Sequence, residues 1–256
     1  MARFLVTGGT GKLGRHVVAK LAASGHDVRV LTRRPRGDGP GEQMMGDLAH
    51  GAGLPASVAG VDTIIHCATH ARFGKVETLG AQRLLELARE QGIGHFVYIS
   101  IVGVDDNPFP YYQNKVRTER LIAGSGIPYT VLRATQFHDL VFSIVSGLSR
   151  APLMTPVPSG FAFQSIDVRA VADRLVELAT SSPAGRARDI GGPRVDSLAD
   201  LVQLHGVATG KSRPLLHIRI PGKIGHAFRS GMNLLGPDGE RIGGTFDDYL
   251  AERISA

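Results

Sequence analysis

Residues 7 to 14 read Thr-Gly-Gly-Thr-Gly-Lys-Leu-Gly and follow directly on the apolar run Ala2-Arg-Phe-Leu-Val6. The run reads as a buried strand, and Leu13, Val17, Val18 and Leu21 beyond the glycines keep the spacing of one helix face. Two glycine frames fit, one on Gly8, Gly11 and Gly14 and one on Gly9, Gly11 and Gly14. Without Cβ atoms such a turn can hold positive φ and let a pyrophosphate approach the backbone, while the helix start offers free N–H groups and a positive dipole end. A dinucleotide-binding turn is therefore expected, with Gly8, Thr10, Gly11, Lys12, Leu13 and Gly14 around the phosphates. The competing reading is an ordinary glycine-rich turn. A Walker loop does not fit, because Leu13 rather than Ser or Thr follows Lys12.

Strand and helix patterns then alternate at βαβ spacing, which predicts an α/β fold: a Rossmann-type, doubly wound parallel sheet with a small C-terminal substrate-binding subdomain. Strands are expected near 2–7, 27–32, 42–45, 62–68, 95–100 and 128–133, and helices near 12–24, 75–91, 111–124 and 167–180. The residues from Pro35 to Gly41 read as a mobile loop. From about Ala134 the character changes: Pro-, Ser- and Gly-rich loops over 151–160, a short strand at 161–166, a helix at 197–208 and a basic strand-like piece at 214–220. The 256 residues suit a nucleotide-binding core over 1–134 and a mixed, substrate-covering region over 135–256, together one domain.

The second strand ends in Thr32-Arg33-Arg34, about twenty residues past the glycine turn, where an NAD enzyme places an acid on the ribose 2′-hydroxyl. An acid would repel a 2′-phosphate, whereas the guanidinium of Arg33 or Arg34 can pair with it. NADP(H) is expected ahead of NAD(H).

At this point the sequence resembles the short-chain dehydrogenase/reductase superfamily, in its extended and atypical NmrA-like members. The resemblance rests on Thr7–Gly14, Gly46-Asp-Leu48, Val61-Asp-Thr-Ile-Ile-His-Cys-Ala68, Tyr98-Ile-Ser-Ile-Val-Gly103, Tyr111-Tyr-Gln-Asn-Lys115 and Ser125-Gly-Ile-Pro-Tyr-Thr-Val-Leu-Arg133. It implies that Asp47 and Leu48 border the adenine, that Ala68 and Thr69 line the ribose and nicotinamide, and that Arg133 closes the strand leading to the substrate. The competing readings are a turn for Asp47 and small-residue packing for Ala68.

Pro110 suits the first position of a helix on which Tyr111 and Lys115, four apart, share a face, so that an ammonium beside the phenol favours proton transfer near neutrality. Lys115 can also donate to the nicotinamide ribose. Tyr112 points about 100° round the helix, off the lysine face. In the resembled family the tyrosine exchanges its proton with a carbonyl oxygen or alcohol while hydride passes to or from the nicotinamide. Ser100 ends the fifth strand eleven residues before Tyr111, slightly early for the family's serine, and reads equally as a catalytic donor or as a strand-end residue bonded to backbone. His138, in Arg133-Ala-Thr-Gln-Phe-His-Asp139, reads as an acid/base or substrate-orienting group, or as a helix-capping loop histidine. Phe137, Phe163 and Gln164 read as pocket lining or as core. His66 reads as a satisfied core histidine and Cys67 as inert packing, and the histidines show no metal spacing.

A single cysteine excludes a disulfide framework within the chain, and with a strand starting right after Met1 a reducing, cytoplasmic setting is expected. The net charge of +6 is spread out without aromatic interleaving, so it reads as solvated surface, with no nucleic acid or membrane partner and a monomer or homodimer. The expected activity is NADPH-dependent reduction of a carbonyl, quinone or activated double bond on a small, apolar or aromatic molecule. The alternatives are an NADP(H)-binding redox sensor without turnover, and a non-redox cyclase or isomerase on the same fold.

Overall fold

The computed structural model describes residues 1–35, 39–69 and 76–255. In chain order the elements begin β1 (Arg3–Thr7), α1 (Gly14–Ala23), β2 (Asp27–Thr32), β3 (Glu42–Met45), α2 (Leu54–Val58), β4 (Thr63–His66), α3 (Val76–Glu90), β5 (His95–Ile101), α4 (Pro110–Ala123) and β6 (Tyr129–Ala134). They continue with α5 (His138–Leu148), β7 (Thr155–Pro158), β8 (Ala162–Phe163), α6 (Val168–Thr180), β9 (Gly185–Arg186), β10 (Ile190–Gly191) and β11 (Asp196–Ser197). The last are α7 (Leu198–Ala208), β12 (Leu215–Ile218), α8 (Gly222–Arg229), β13 (Glu240–Arg241) and α9 (Phe246–Ser255).

Two compact units are built from these elements, each from several segments of chain. The first comprises Met1–Ser100, Pro110–Arg133 and Val171–Ala187. Its strands lie in the order β6-β5-β4-β1-β2-β3, with β9 on β6, and the pairs β1–β2, β1–β4, β2–β3, β4–β5 and β6–β9 are parallel. The order reverses between β1 and β4, and in an open α/β sheet ligands bind beyond the carboxyl ends of the strands at that point. Every residue of β4 and β5 is buried, as strands covered on both faces require. Ile64, Phe96 and Tyr98 from these strands pack with Leu84, Leu85 and Ala88 of α3 and Ile122 of α4. Of the expected 35–41 loop, residues 36–38 lie outside the described residues.

The second unit comprises Ile101–Phe109, Ala134–Ala170 and Arg188–Ala256. Its core joins Val141 and Val145 of α5, Leu198, Leu201 and Val202 of α7, and Phe246 and Leu250 of α9. Ser197 caps α7 by accepting from the Asp200 N–H at 3.1 Å. β10 pairs with β13, and Ile190 stands beside Ala134 at the end of β6. The 151–160 segment departs from the expected loop: β7 forms there and pairs in parallel with β12, while the strand expected over 161–166 shortens to β8 and pairs with β11. Pro156 and Pro158 lack the N–H of an interior strand, but in a two-stranded ladder each strand has an open edge where none is needed.

Candidate nucleotide-binding and proton-transfer site

β1 delivers the glycine turn, in which Gly8 and Gly14 are required by the fold itself and Gly11 is not. Gly8 has φ +68°, and a Cβ there would stand 2.8 Å from the Ala68 backbone just past β4. At Gly14 a Cβ would lie 2.2 Å from the Gly8 carbonyl oxygen, so the start of α1 sits directly on the turn. Gly11 is exposed, and a Cβ would meet only the Gly8 oxygen, at 3.1 Å. Thr10 and Lys12 are exposed beside it while Leu13 is buried. α1 has no acidic residue in its first turn and no side-chain cap. A helix start left in this state suits phosphate, and the turn fits a dinucleotide.

Beyond β2, Arg33 and Arg34 are exposed, and the Arg34 N–H donates to Thr32 Oγ1 at 3.3 Å. Asp47, past β3, holds a turn: it accepts from the Ala49 N–H at 2.7 Å and pairs with His50 Nδ1 at 2.9 Å. The His50 hydrogen bond, the Ala49 N–H and the charge of Arg33 all press its carboxyl below the usual range. Arg33 and Asp47 therefore share one corner of the unit. Arg83 of α3 donates to the Leu48 carbonyl at 2.9 Å and fixes the next residue.

The candidate proton-transfer residues Tyr111 and Lys115 are set on α4. Arg133 of β6, itself buried, makes a two-pronged pair with Glu119, Nε to Oε1 at 2.9 Å and Nη2 to Oε2 at 2.6 Å, which ties α4 to the sheet. Tyr111 is half-buried, whereas Tyr112 is buried with its ring at right angles to that of Tyr111 and 6.0 Å away. Lys115 Nζ lies 5.7 Å from the Tyr111 ring centroid. It donates to Glu77 Oε1 at 2.8 Å, to the Ile99 carbonyl at 3.1 Å and to Thr69 Oγ1 at 3.3 Å, and stands 4.7 Å over the Tyr98 ring. The Tyr98 hydroxyl donates to the same Glu77 oxygen at 3.0 Å. Behind Tyr98, His66 stacks at 5.5 Å and pairs through Nδ1 with Thr7 Oγ1 at 2.6 Å, and Thr7 Oγ1 also accepts the Ala68 N–H at 3.4 Å.

Burial is the largest influence on both members of the ion pair, pulling the Lys115 ammonium down and the Glu77 carboxyl up. For Lys115 the neighbours Tyr98, Tyr111 and Glu77 outweigh it, and for Glu77 the ammonium does so. The lysine therefore titrates well above its usual range and the glutamate below its own. Burial holds His66 at about 4, so it is neutral near pH 7, and pushes the Cys67 thiol up to about 12.

The expected residues thus gather in part. Tyr111, Lys115 and Thr69 stand together in the first unit. Ser100 is in the same unit, buried, and its hydroxyl has no hydrogen-bond partner among the described residues, so the strand-end serine bonded to backbone is not what the structure contains. His138 belongs to the second unit, where it is the first residue of α5 and does not cap it. Its Nδ1 pairs with Ser165 Oγ at 2.8 Å and its Nε2 with the Gly244 carbonyl at 3.2 Å, and burial lowers its pKa. Phe163 packs in that unit's core, and Gln164 braces it by donating to the Gly192 carbonyl at 2.8 Å and accepting from the Leu235 N–H at 3.0 Å.

Glu77 is absent from the sequence-based set. Its signal was present: with Ala81, Leu84, Leu85 and Ala88 it falls on the buried stripe of α3, and a carboxylate on such a stripe requires a partner. Tyr98 appeared only within the resemblance, and the structure makes it the second donor to Glu77.

A family model described as NAD(P)H-binding matches residues 8–181. The chain is similar to the (4-alkanoyl-5-oxo-2,5-dihydrofuran-3-yl)methyl phosphate reductase of Streptomyces griseus, with 27% identity over 243 residues covering 88% of this chain and 84% of that one. It spans about half the length of several other curated relatives that it matches. Two solved structures share the fold. The NADPH-dependent quinone oxidoreductase QOR2 of Escherichia coli, complexed with NADPH, superimposes with a TM-score of 0.82 at 16% identity, covering 98% of this chain and 99% of that one. A short-chain dehydrogenase/reductase superfamily protein from Agrobacterium tumefaciens with bound NAD gives 0.75 at 20% identity, covering 99% and 96%. The glycine turn opens the matched segment and Lys115 lies within it: the chain belongs to the NAD(P)H-binding family and has the Rossmann-type fold of the short-chain dehydrogenase/reductase superfamily.

Proposed function

We propose that the protein is an NADPH-dependent oxidoreductase that reduces a carbonyl, quinone or activated double bond of a small apolar or aromatic molecule. The observation that carries this reading is the placing of Tyr111 and a buried, charged Lys115 on one face of α4, with the competing Tyr112 turned into the core. Gly8, Thr10, Gly11, Lys12, Leu13 and Gly14 would hold the pyrophosphate, Arg33 and Arg34 the 2′-phosphate, Asp47 and Leu48 the adenine side, and Ala68, Thr69 and Lys115 the ribose and nicotinamide. When bound, the nicotinamide supplies the hydride. Tyr111 supplies the proton to the substrate oxygen, and the neighbouring ammonium of Lys115 favours the negative charge that develops on the phenolic oxygen as the proton leaves. Ser100 would add a second donor to that oxygen.

The test is NADPH oxidation, followed by absorbance, against a panel of quinones, aldehydes and ketones. Tyr111→Phe is expected to slow turnover by about a hundredfold while NADPH affinity stays within a small factor, because the proton moves only as the reaction proceeds. A Tyr111→Phe variant that turns over at the original rate removes the phenol from the mechanism. One observation favours a second reading, an NADP(H)-binding regulatory protein without turnover: Lys115 already donates to Glu77, Ile99 and Thr69, three acceptors for its three N–H groups. Tight NADPH binding, weak NADP+ binding and no turnover of any panel member would select that reading.

A further inference from the structure

In the β7–β12 ladder Leu216 stands beside Pro156 and Ile218 beside Pro158. Residues paired in register point to the same side, so these four share one face, and Met154 and Pro214, two residues earlier on each strand, continue it. Thr155 and Val157, on the opposite face of β7, are buried. Sheet faces that meet water carry polar residues, but all six positions here are apolar, with Leu216 47% and Ile218 40% exposed. Leu153, at the entry to β7, is 81% exposed. In the stretches of chain that carry β12 and β7 the charge has one sign: from Leu201 to Pro237 there are five lysines and arginines and no Asp or Glu, and from Leu140 to Ile166 there is one arginine and no acid. Lys211, Arg219 and Lys223, which bracket β12 along the chain, are all exposed.

We propose that this face of the second unit docks on an anionic lipid surface. Apolar side chains entering the headgroup region and a rim of lysine and arginine facing anionic headgroups are what a peripheral membrane contact requires. A second copy of the chain is disfavoured, since a two-fold contact would bring the same basic rims together. Addition of a strand along the open edge of β7 is disfavoured as well, because Pro156 and Pro158 have no N–H to offer. No helix among the described residues is long and apolar enough to cross a membrane. The proposal revises the expectation of no membrane partner, in which the basic residues read as scattered solvated surface, and it stands independently of the reductase reading.

Co-sedimentation of the full chain with phosphatidylcholine vesicles, with and without about 30% phosphatidylserine, tests it. Partitioning onto the anionic vesicles is expected to be at least about tenfold stronger and to disappear in about 1 M salt. Arg219→Glu/Lys223→Glu and Leu216→Asp/Ile218→Asp are each expected to lose about tenfold in partitioning with an unchanged melting temperature. If the aspartate pair unfolds the chain, the charge-reversal pair alone decides. Absence of binding to anionic vesicles, equal binding to both vesicle types, or a solution dimer abolished by Leu216→Asp would each overturn the proposal.

Discussion

The Glu77 carboxylate stands 2.8 Å from the Lys115 ammonium, and the two side chains are 4% and 3% exposed. Removing one member of such a pair strands a buried charge, which costs about 3–5 kcal/mol, whereas replacing both with apolar residues of similar volume is often neutral. Glu77→Leu is therefore expected to lower stability severely, and Glu77→Leu/Lys115→Met to regain most of it while remaining inactive. Urea unfolding of the two variants beside the parent checks this. A double variant as unstable as the single one would mean that the pair itself, rather than relief of a stranded charge, holds α3 against α4.

The same pair makes a stability prediction in pH. Glu77 titrates below its ordinary value in the folded chain, so its contribution is fully present above that ordinary value and is lost as pH falls through the folded one. Lys115 titrates above its ordinary value, so its share is present below that value and is lost only in strong base. His66, held at about 4 by burial, acts in a higher window and in both chains alike: the unfolded chain protonates it first, and stability falls with pH from the ordinary histidine value down to about 4. Acid unfolding of the parent should accordingly be steeper than that of Glu77→Leu/Lys115→Met, by urea midpoints between about pH 5 and pH 2.

Most of the first unit is legible in the sequence, because its signals are local. The apolar run of β1, the alternating pattern of β2, the glycine turn and the stripe of α1 each lie within a few consecutive residues, and their bounds fall within a residue or two of expectation. The site is legible where it is local too, as in Tyr111 and Lys115 on one turn of helix. Glu77 escapes because the partner that justifies its burial lies one strand further along the chain, on the next helix. β7 escapes for a different reason: Pro156 and Pro158 punctuate a sequence as loop, and only the partner strand β12 shows that their missing N–H groups are not needed.

Cofactor choice is predicted from Arg33 and Arg34. Both are exposed beyond β2, so each is available to a 2′-phosphate without breaking a buried contact. One charge-assisted contact is worth about 1.5–3 kcal/mol, so Arg34→Ala should weaken NADPH by about tenfold or more and leave NADH nearly unchanged. Calorimetric titration with both cofactors reads this directly. Equal affinity of the parent for the two would remove the arginines from cofactor selection.

Two glycines of the turn are predicted to differ when substituted. Gly11→Val enters exposed space apart from the Gly8 oxygen at 3.1 Å, so the fold should survive while NADPH no longer raises the melting temperature. Gly8→Val combines φ +68° with backbone atoms of Ala68 at 2.8 Å and should lower the melting temperature before any ligand is added. Thermal shift with and without NADPH separates the two. A ligand-induced rise preserved in Gly11→Val would place the phosphates elsewhere.

Ser100 gives the sharpest separation between catalysis and structure. Its hydroxyl is buried and makes no hydrogen bond among the described residues, so in the resting fold it is a desolvated group with nothing in return. Ser100→Ala removes that penalty and is expected to leave stability unchanged or raise it by about 1 kcal/mol. If the hydroxyl serves the substrate oxygen beside Tyr111, the same substitution removes a preorganised donor, and the reduction rate should fall by about a hundredfold or more. A variant both more stable and slower is the signature of a residue kept for chemistry. If Ser100→Ala is more stable and equally fast, the donor role fails, and Tyr111 acts as the lone acid of the site.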